Sequence, residues 1–92
     1  MKFFVYILES EKTHKYYIGQ TGSLQSRFKR HNSGQNRSTS ADIPWRIKWW
    51  KGFETRSEAI LFEKRLKRLK KRTSLERLIL EMESPMGVPF DR

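Results

Sequence analysis

Residues 3–8 run Phe-Phe-Val-Tyr-Ile-Leu without a polar interruption. Successive side chains of a strand point to opposite faces. Phe3, Val5 and Ile7 therefore line one side, and Phe4, Tyr6 and Leu8 the other. A strand that is apolar on both faces must be covered on both, which places it at the centre of its sheet. The polar run from Glu9 to His14 reads as a turn, and Lys15 to Thr21, with Tyr16, Tyr17 and Ile18, as the second strand of a hairpin. Setting Tyr6 opposite Tyr17 puts Leu8 opposite Lys15 and Glu9 opposite His14. It leaves a four-residue loop, Ser10 to Thr13. The two phenols then share a face, either as a cross-strand aromatic pair or as the floor of a site. Gly19 gives up side-chain packing inside a strand, which marks a bulge or a close approach to the backbone.

Ser23 can cap a helix running to about Ser33, with Gly34 ending it. Leu24 and Phe28 form its packing stripe, and Arg27 and His31, also four apart, flank that stripe. Gln35 to Asp42 is a polar loop that carries Arg37. Arg46 to Phe53 alternates Ile47, Trp49 and Lys51 against Lys48, Trp50 and Gly52, the pattern of an edge strand guarded by lysines. Trp45, Trp49 and Trp50 suit either base stacking or the core.

Thr55 and Glu58 form a capping box before Ala59, Phe62, Leu66 and Leu69, a helical stripe expected to end near Arg72. Glu63 lies on the border of that stripe, where a carboxylate needs either a metal or Lys67 at i+4. Lys64, Arg65, Lys67, Arg68, Lys70, Lys71 and Arg72 make a basic ridge. Thr73 and Glu76 form a second capping box for a last helix with Leu75, Leu78, Ile79 and Met82, stopped at Ser84-Pro85. One domain over residues 1–84 and a loose tail over 85–92 are expected. The fold class is α+β: a three-stranded antiparallel sheet flanked by about three helices.

The chain has 92 residues and a net charge of +10, from 20 Lys+Arg against 10 Asp+Glu, which favours a polyanionic partner. It has no cysteine, so disulfides and thiolate metal sites are excluded. The apolar run at residues 3–8 meets Glu9 at once with no small-residue cleavage site, and no run is long enough to span a bilayer. A cytoplasmic protein with nothing to cleave and no membrane partner is expected.

These parts, in order, resemble the GIY-YIG nucleases. Val5-Tyr6-Ile7 stands for the first motif with Val in place of Gly, and Tyr17-Ile18-Gly19 is the second motif intact. Arg27 and His31 match the Arg and His of the family's first helix. Glu63, in Ala59-Ile60-Leu61-Phe62-Glu63-Lys64, matches its metal-binding Glu. His31-Asn32-Ser33-Gly34 and Ile43-Pro44-Trp45 look like the small stand-alone bacterial members. Larger members, such as the excision-repair nuclease, carry a functional Asn after the metal Glu, and no Asn follows Asn36 here.

The resemblance implies a phosphodiesterase acting on DNA, with RNA not excluded, and by fold analogy a role in DNA repair. Tyr6 would help deprotonate the attacking water, and Tyr17 would share that task or bind phosphate. Arg27 would hold a phosphate oxygen and stabilise developing charge. His31 would orient Tyr6 or contact phosphate. Glu63 would hold a single Mg²⁺ or Mn²⁺, which keeps most of its waters. No small-molecule cofactor is implied. Lys64, Lys67, Arg68, Lys71 and Arg37 are the candidate backbone contacts. The alternative is a nucleic-acid-binding module on the same fold with little or no turnover.

Overall fold

The computed structural model describes residues 2–69 and 71–82. The expected stop at Ser84-Pro85 and the expected tail lie outside them. The strands are β1 (Phe3–Ser10), β2 (Tyr16–Thr21) and β3 (Trp45–Phe53). The helices are α1 (Leu24–Asn32), α2 (Arg56–Lys67) and α3 (Arg72–Glu81). The sheet is antiparallel in the order β2-β1-β3, so the doubly apolar strand is central.

Each face of β1 has its own cover. Val5 and Ile7 pack with Trp49 and with Ala59, Leu66 and Leu75 from α2 and α3. Tyr6 and Leu8 pack with Trp45, Trp50 and Leu24, with Phe28 of α1 against them. The molecule is thus three layers: α1, the sheet, then α2 with α3. All three tryptophans are at most 5% exposed, so they are core residues and not base-stacking platforms.

The hairpin register differs from the one the sequence suggested. Tyr6 lies opposite Gly19, and Leu8 opposite Tyr17. The loop is still four residues, but it runs from Glu11 to His14, closed by the Ser10 N–H to Lys15 O bond. Ser10 decides this. Its hydroxyl oxygen accepts from the N–H groups of Lys12 and Thr13 and its O–H donates to Asp42 O, so Ser10 ends the strand and cannot join the loop. His14 takes the left-handed conformation, at φ 63°, that brings the chain back. The slip is two residues, so side-chain parity survives and both phenols stay on the α1 face.

A bulge breaks the simple alternation of β3. Ile7 pairs with Trp49 but Leu8 with Ile47, leaving Lys48 as the extra residue. Ile47 therefore joins the α1-side core and Trp49 the α2-side core, although they are two apart.

The capping of α1 by Ser23 and the capping box of α2 form as expected, and Gly34 adopts φ 83° just past α1. The second half of the basic ridge does not. Helix α2 stops at Lys67, and α3 begins at Arg72 with Lys71 as its cap residue and no side-chain cap bond. Glu76 is not a capping partner of Thr73. It accepts from Arg72 Nε at 2.8 Å and from the Tyr16 hydroxyl at 3.3 Å. Arg72 also bonds Glu9 and the carbonyl of His14, and its guanidinium lies over the Tyr16 ring. Glu9, whose side chain is 8% exposed, attracts Arg46 and Arg72 together. A nearly buried carboxylate needs such partners, and Arg72 at the start of α3 is one of them.

Candidate active site

The site begins with a missing side chain. A Cβ on Gly19 would lie 2.5 Å from the Tyr6 hydroxyl and 2.6 Å from its Cζ. The Tyr6 ring therefore runs directly over the backbone of the edge strand, which glycine alone permits. The close approach anticipated at Gly19 comes from the protein's own tyrosine.

The Tyr6 hydroxyl meets His31 Nε2 at 3.1 Å, and His31 Nδ1 lies 3.0 Å from the Thr39 hydroxyl. His31 is fully buried, as Tyr6 nearly is at 1% exposure. The expectation that His31 flanks the packing stripe of α1 is corrected: it sits inside the stripe and cannot touch phosphate. Its other expected role, orienting Tyr6, is what the geometry allows. Tyr17 is only partly buried. Its ring centroid is 4.7 Å from that of His31 and 6.3 Å from that of Tyr6.

Burial first, then the cationic Arg27 and Arg30, push the His31 imidazole down to about 4. An unfolded histidine takes its proton near 6.5. Below that pH the unfolded chain binds the extra proton, so stability falls. The contribution is complete above pH 6.5 and lost by about pH 4, a span of about 3 kcal/mol. Urea midpoints measured from pH 7.5 to 4.5 should fall in this window, and His31→Gln should flatten the fall. A wild-type midpoint constant across the window would show that the ring is not held neutral.

Tyr6 is pushed well above the usual phenol range, chiefly by burial, then by Tyr17. Arg27 opposes the shift and Glu63 adds to it. The charges of α1 and α2, on opposite faces of the sheet, thus both act on one hydroxyl. Tyr17, Arg27 and Glu63, three of the expected groups, each act electrostatically on a fourth, Tyr6, whose hydroxyl meets His31. In the free protein Arg27 alone does not bring Tyr6 towards ionisation, because desolvation outweighs it.

The sequence model of the GIY-YIG catalytic domain matches residues 2–77. The chain belongs to the GIY-YIG family. It is 37% identical over 81 residues to a UPF0213 protein of Streptococcus pneumoniae serotype 4, covering 87% of this chain and 80% of that one. A UPF0213 protein of a second Streptococcus pneumoniae strain is 36% identical over the same shares. The solution NMR structure of a UPF0213 protein from Bacillus halodurans is similar at a TM-score of 0.59 and 31% identity, over 92% of this chain and 89% of that one. GIY-YIG membership brings a nuclease-type function and a nucleic-acid substrate in general.

GIY-YIG nucleases are generally dependent on a divalent metal. Glu63 is the carboxylate whose field reaches Tyr6, and its side chain is 18% exposed. Among the described residues, no three His, Asp or Glu side chains gather. The single carboxylate of Glu63 would suit a hard divalent ion that retains most of its waters. Lys67 now holds Glu63 at 3.5 Å and would have to turn away. Of the candidate backbone contacts, Lys64, Arg68, Lys71 and Arg37 are exposed, whereas Lys67 is tied to Glu63. Arg72, part of the expected ridge, is paired with Glu9 and Glu76 although its side chain stays 45% exposed.

Two residues that hold the site together escaped sequence reasoning. Thr39 sits in a loop of many hydroxyls, and nothing local singles it out. Asn32 clamps α1 to β3, accepting from Trp45 N–H at 2.6 Å and donating to Trp45 O at 3.0 Å. Its place directly after His31 was the available signal.

Proposed function

We propose that this protein is a metal-dependent DNA endonuclease directed at a structure or lesion rather than a base sequence. The observation that carries the reading is the Tyr6 hydroxyl, held on a neutral His31 under the opposed fields of Arg27 and Glu63. A thiol nucleophile is absent, since the chain has no cysteine. The exposed cations suit the phosphate backbone, and the tryptophans that could read bases are used in the core.

The groups divide the work by exposure. Tyr17 and Arg27, both partly exposed, meet the phosphate. Arg27 binds a non-bridging oxygen through its planar fork and stabilises the charge that develops there. Tyr6, at 1% exposure, is too enclosed to meet a phosphate and would meet only the attacking water once substrate is bound. Its oxygen takes a proton from that water while its own proton moves to His31 Nε2, so no free phenolate forms. The hydroxide adds to phosphorus and the bond to the leaving oxygen breaks. Arg27 is one of the charges that weaken His31 as a base. A phosphate bound on Arg27 cancels that repulsion, so the imidazole becomes a stronger base when substrate is in place. Glu63 would hold the divalent ion, which when bound supplies charge stabilisation at the leaving oxygen.

A second reading, a binding module with little turnover, draws support from Lys67 already occupying Glu63. Incubating the pure protein with single-stranded, duplex and branched DNA separates the two. Products are expected in Mg²⁺ or Mn²⁺ and none in EDTA. Arg27→Ala should cut about 100- to 1,000-fold more slowly, the usual cost of losing a charge-stabilising donor. Salt-sensitive binding without products from any variant would favour the module. Full activity in Arg27→Ala would refute the assigned site.

A further inference from the structure

The hydrogens along the buried chain Tyr6–His31–Thr39 can run in only two directions. In the first, Tyr6 O–H donates to His31 Nε2, His31 Nδ1–H donates to Thr39 Oγ1, and Thr39 O–H donates to the carbonyl of Asn36. The distances are 3.1, 3.0 and 3.3 Å. Every polar hydrogen then has an acceptor. In the reverse direction, His31 Nε2–H donates to Tyr6 and Thr39 O–H donates to Nδ1. That arrangement makes one bond fewer: the nearly buried Tyr6 hydrogen has no acceptor in the chain, while Asn36 O keeps only the Thr39 N–H at 3.1 Å. Buried polar groups are satisfied wherever a satisfying arrangement exists, so the first direction wins.

We infer that Thr39 is a positioning residue that sets the tautomer of His31, fixing Nδ1 as the protonated nitrogen and Nε2 as the acceptor aimed at Tyr6. The ring nitrogen that carries the proton follows from the bond made by the other nitrogen. Thr39 has the geometry for this task. It is 1% exposed, and its hydroxyl is steered by the carbonyl three residues earlier in the same turn. Its own carbonyl accepts the indole N–H of Trp45 at 2.9 Å, which pins the loop to the core independently of the hydroxyl. With Nε2 as acceptor, the lone pairs of Tyr6 face away from the ring, towards the groups on α1 and α2. With the opposite tautomer, the imidazole would occupy a Tyr6 lone pair and could not receive its proton. The consequence for cleavage rests on the nuclease reading, but the tautomer does not.

The test is ¹⁵N NMR of histidine-labelled protein at neutral pH, combined with cleavage rates. Wild-type His31 should be protonated at Nδ1. Thr39→Val removes the acceptor and should move the proton to Nε2, with cleavage falling on the order of tenfold or more, as for other outer partners of a functional histidine. Thr39→Ser restores a hydroxyl and should restore both. The Trp45 indole resonance checks that the loop has stayed in place. Should Thr39→Val displace it, Thr39→Cys, whose sulfur is a poor acceptor, replaces it in the comparison. Protonation at Nε2 in the wild type, an unchanged tautomer in the variant, or a changed tautomer with undiminished cleavage would each overturn the proposal. If the wild type cuts nothing, the nuclease reading falls, and the tautomers alone decide for or against control by Thr39.

Discussion

Replacing Glu63 with alanine is expected to remove metal-stimulated cleavage, by about 1,000-fold or more, while DNA binding and the folded state persist. The magnitude follows from the task. A bound divalent ion supplies several kcal/mol of charge stabilisation in phosphoryl transfer, and about 4 kcal/mol corresponds to three orders of magnitude. Glu63 is the acidic side chain that acts on Tyr6, and among the described residues no acidic cluster stands ready to replace it. Stability should hardly change, because its pairing with Lys67 at i+4 is half exposed and worth a few tenths of a kcal/mol. Cleavage in Mg²⁺ and calorimetric titration with Mn²⁺ measure the two sides of the claim. A variant that binds Mn²⁺ and cuts like the wild type would remove Glu63 from the site. Glu63→Gln, which keeps the shape and loses the charge, should behave like the alanine variant.

The largest structural effect is expected at Gly19. An added Cβ would lie 2.5 Å from the Tyr6 hydroxyl, 2.6 Å from Cζ and 3.1 Å from Cε1. The Tyr6 ring cannot retreat freely, because Tyr17 and His31 pack against it in the α1-side core. Gly19→Ala should therefore cost about 1–3 kcal/mol by overpacking. It should also pull the hydroxyl off His31 Nε2, so cleavage should fall with stability. Urea unfolding gives the first quantity. A double-mutant cycle identifies the cause: in a Tyr6→Leu background the same change should cost little, and the coupling should approach the full single-mutant effect. Equal costs in both backgrounds would mean that the ring does not lie over this glycine.

Several features were legible because they depend on local chemistry. The double-sided apolar run of Phe3 to Leu8 could only be central, and Ser23, Gly34 and the Thr55–Glu58 box mark helix ends through their own backbone bonds. The order of Tyr6, Tyr17, Arg27, His31 and Glu63 carried the family. Other features were not legible, because a distant partner decides them. Two hairpin registers of equal loop length fit the sequence, and the hydroxyl of Ser10, bonded to Asp42 across the fold, selects one. The bulge at Lys48 exists because Trp49 and Ile47 are needed in different cores.

The basic ridge shows the same division. From the sequence, Arg72 is one cation in a run of them. In the fold it is paired with Glu9, 63 positions earlier, and with Glu76 on its own helix. His31 differs from Arg27 only by its place on one helix turn, yet burial makes it a partner for Tyr6 and denies it phosphate. The sequence by itself determined which chemical groups are present, their order and the elements that carry them, since periodicity and capping are short-range. The tertiary structure alone decided register, burial and hydrogen-bond direction. Those depend on which polar groups lose water together, and Thr39, His31 and Tyr6 meet only once the loop folds over α1.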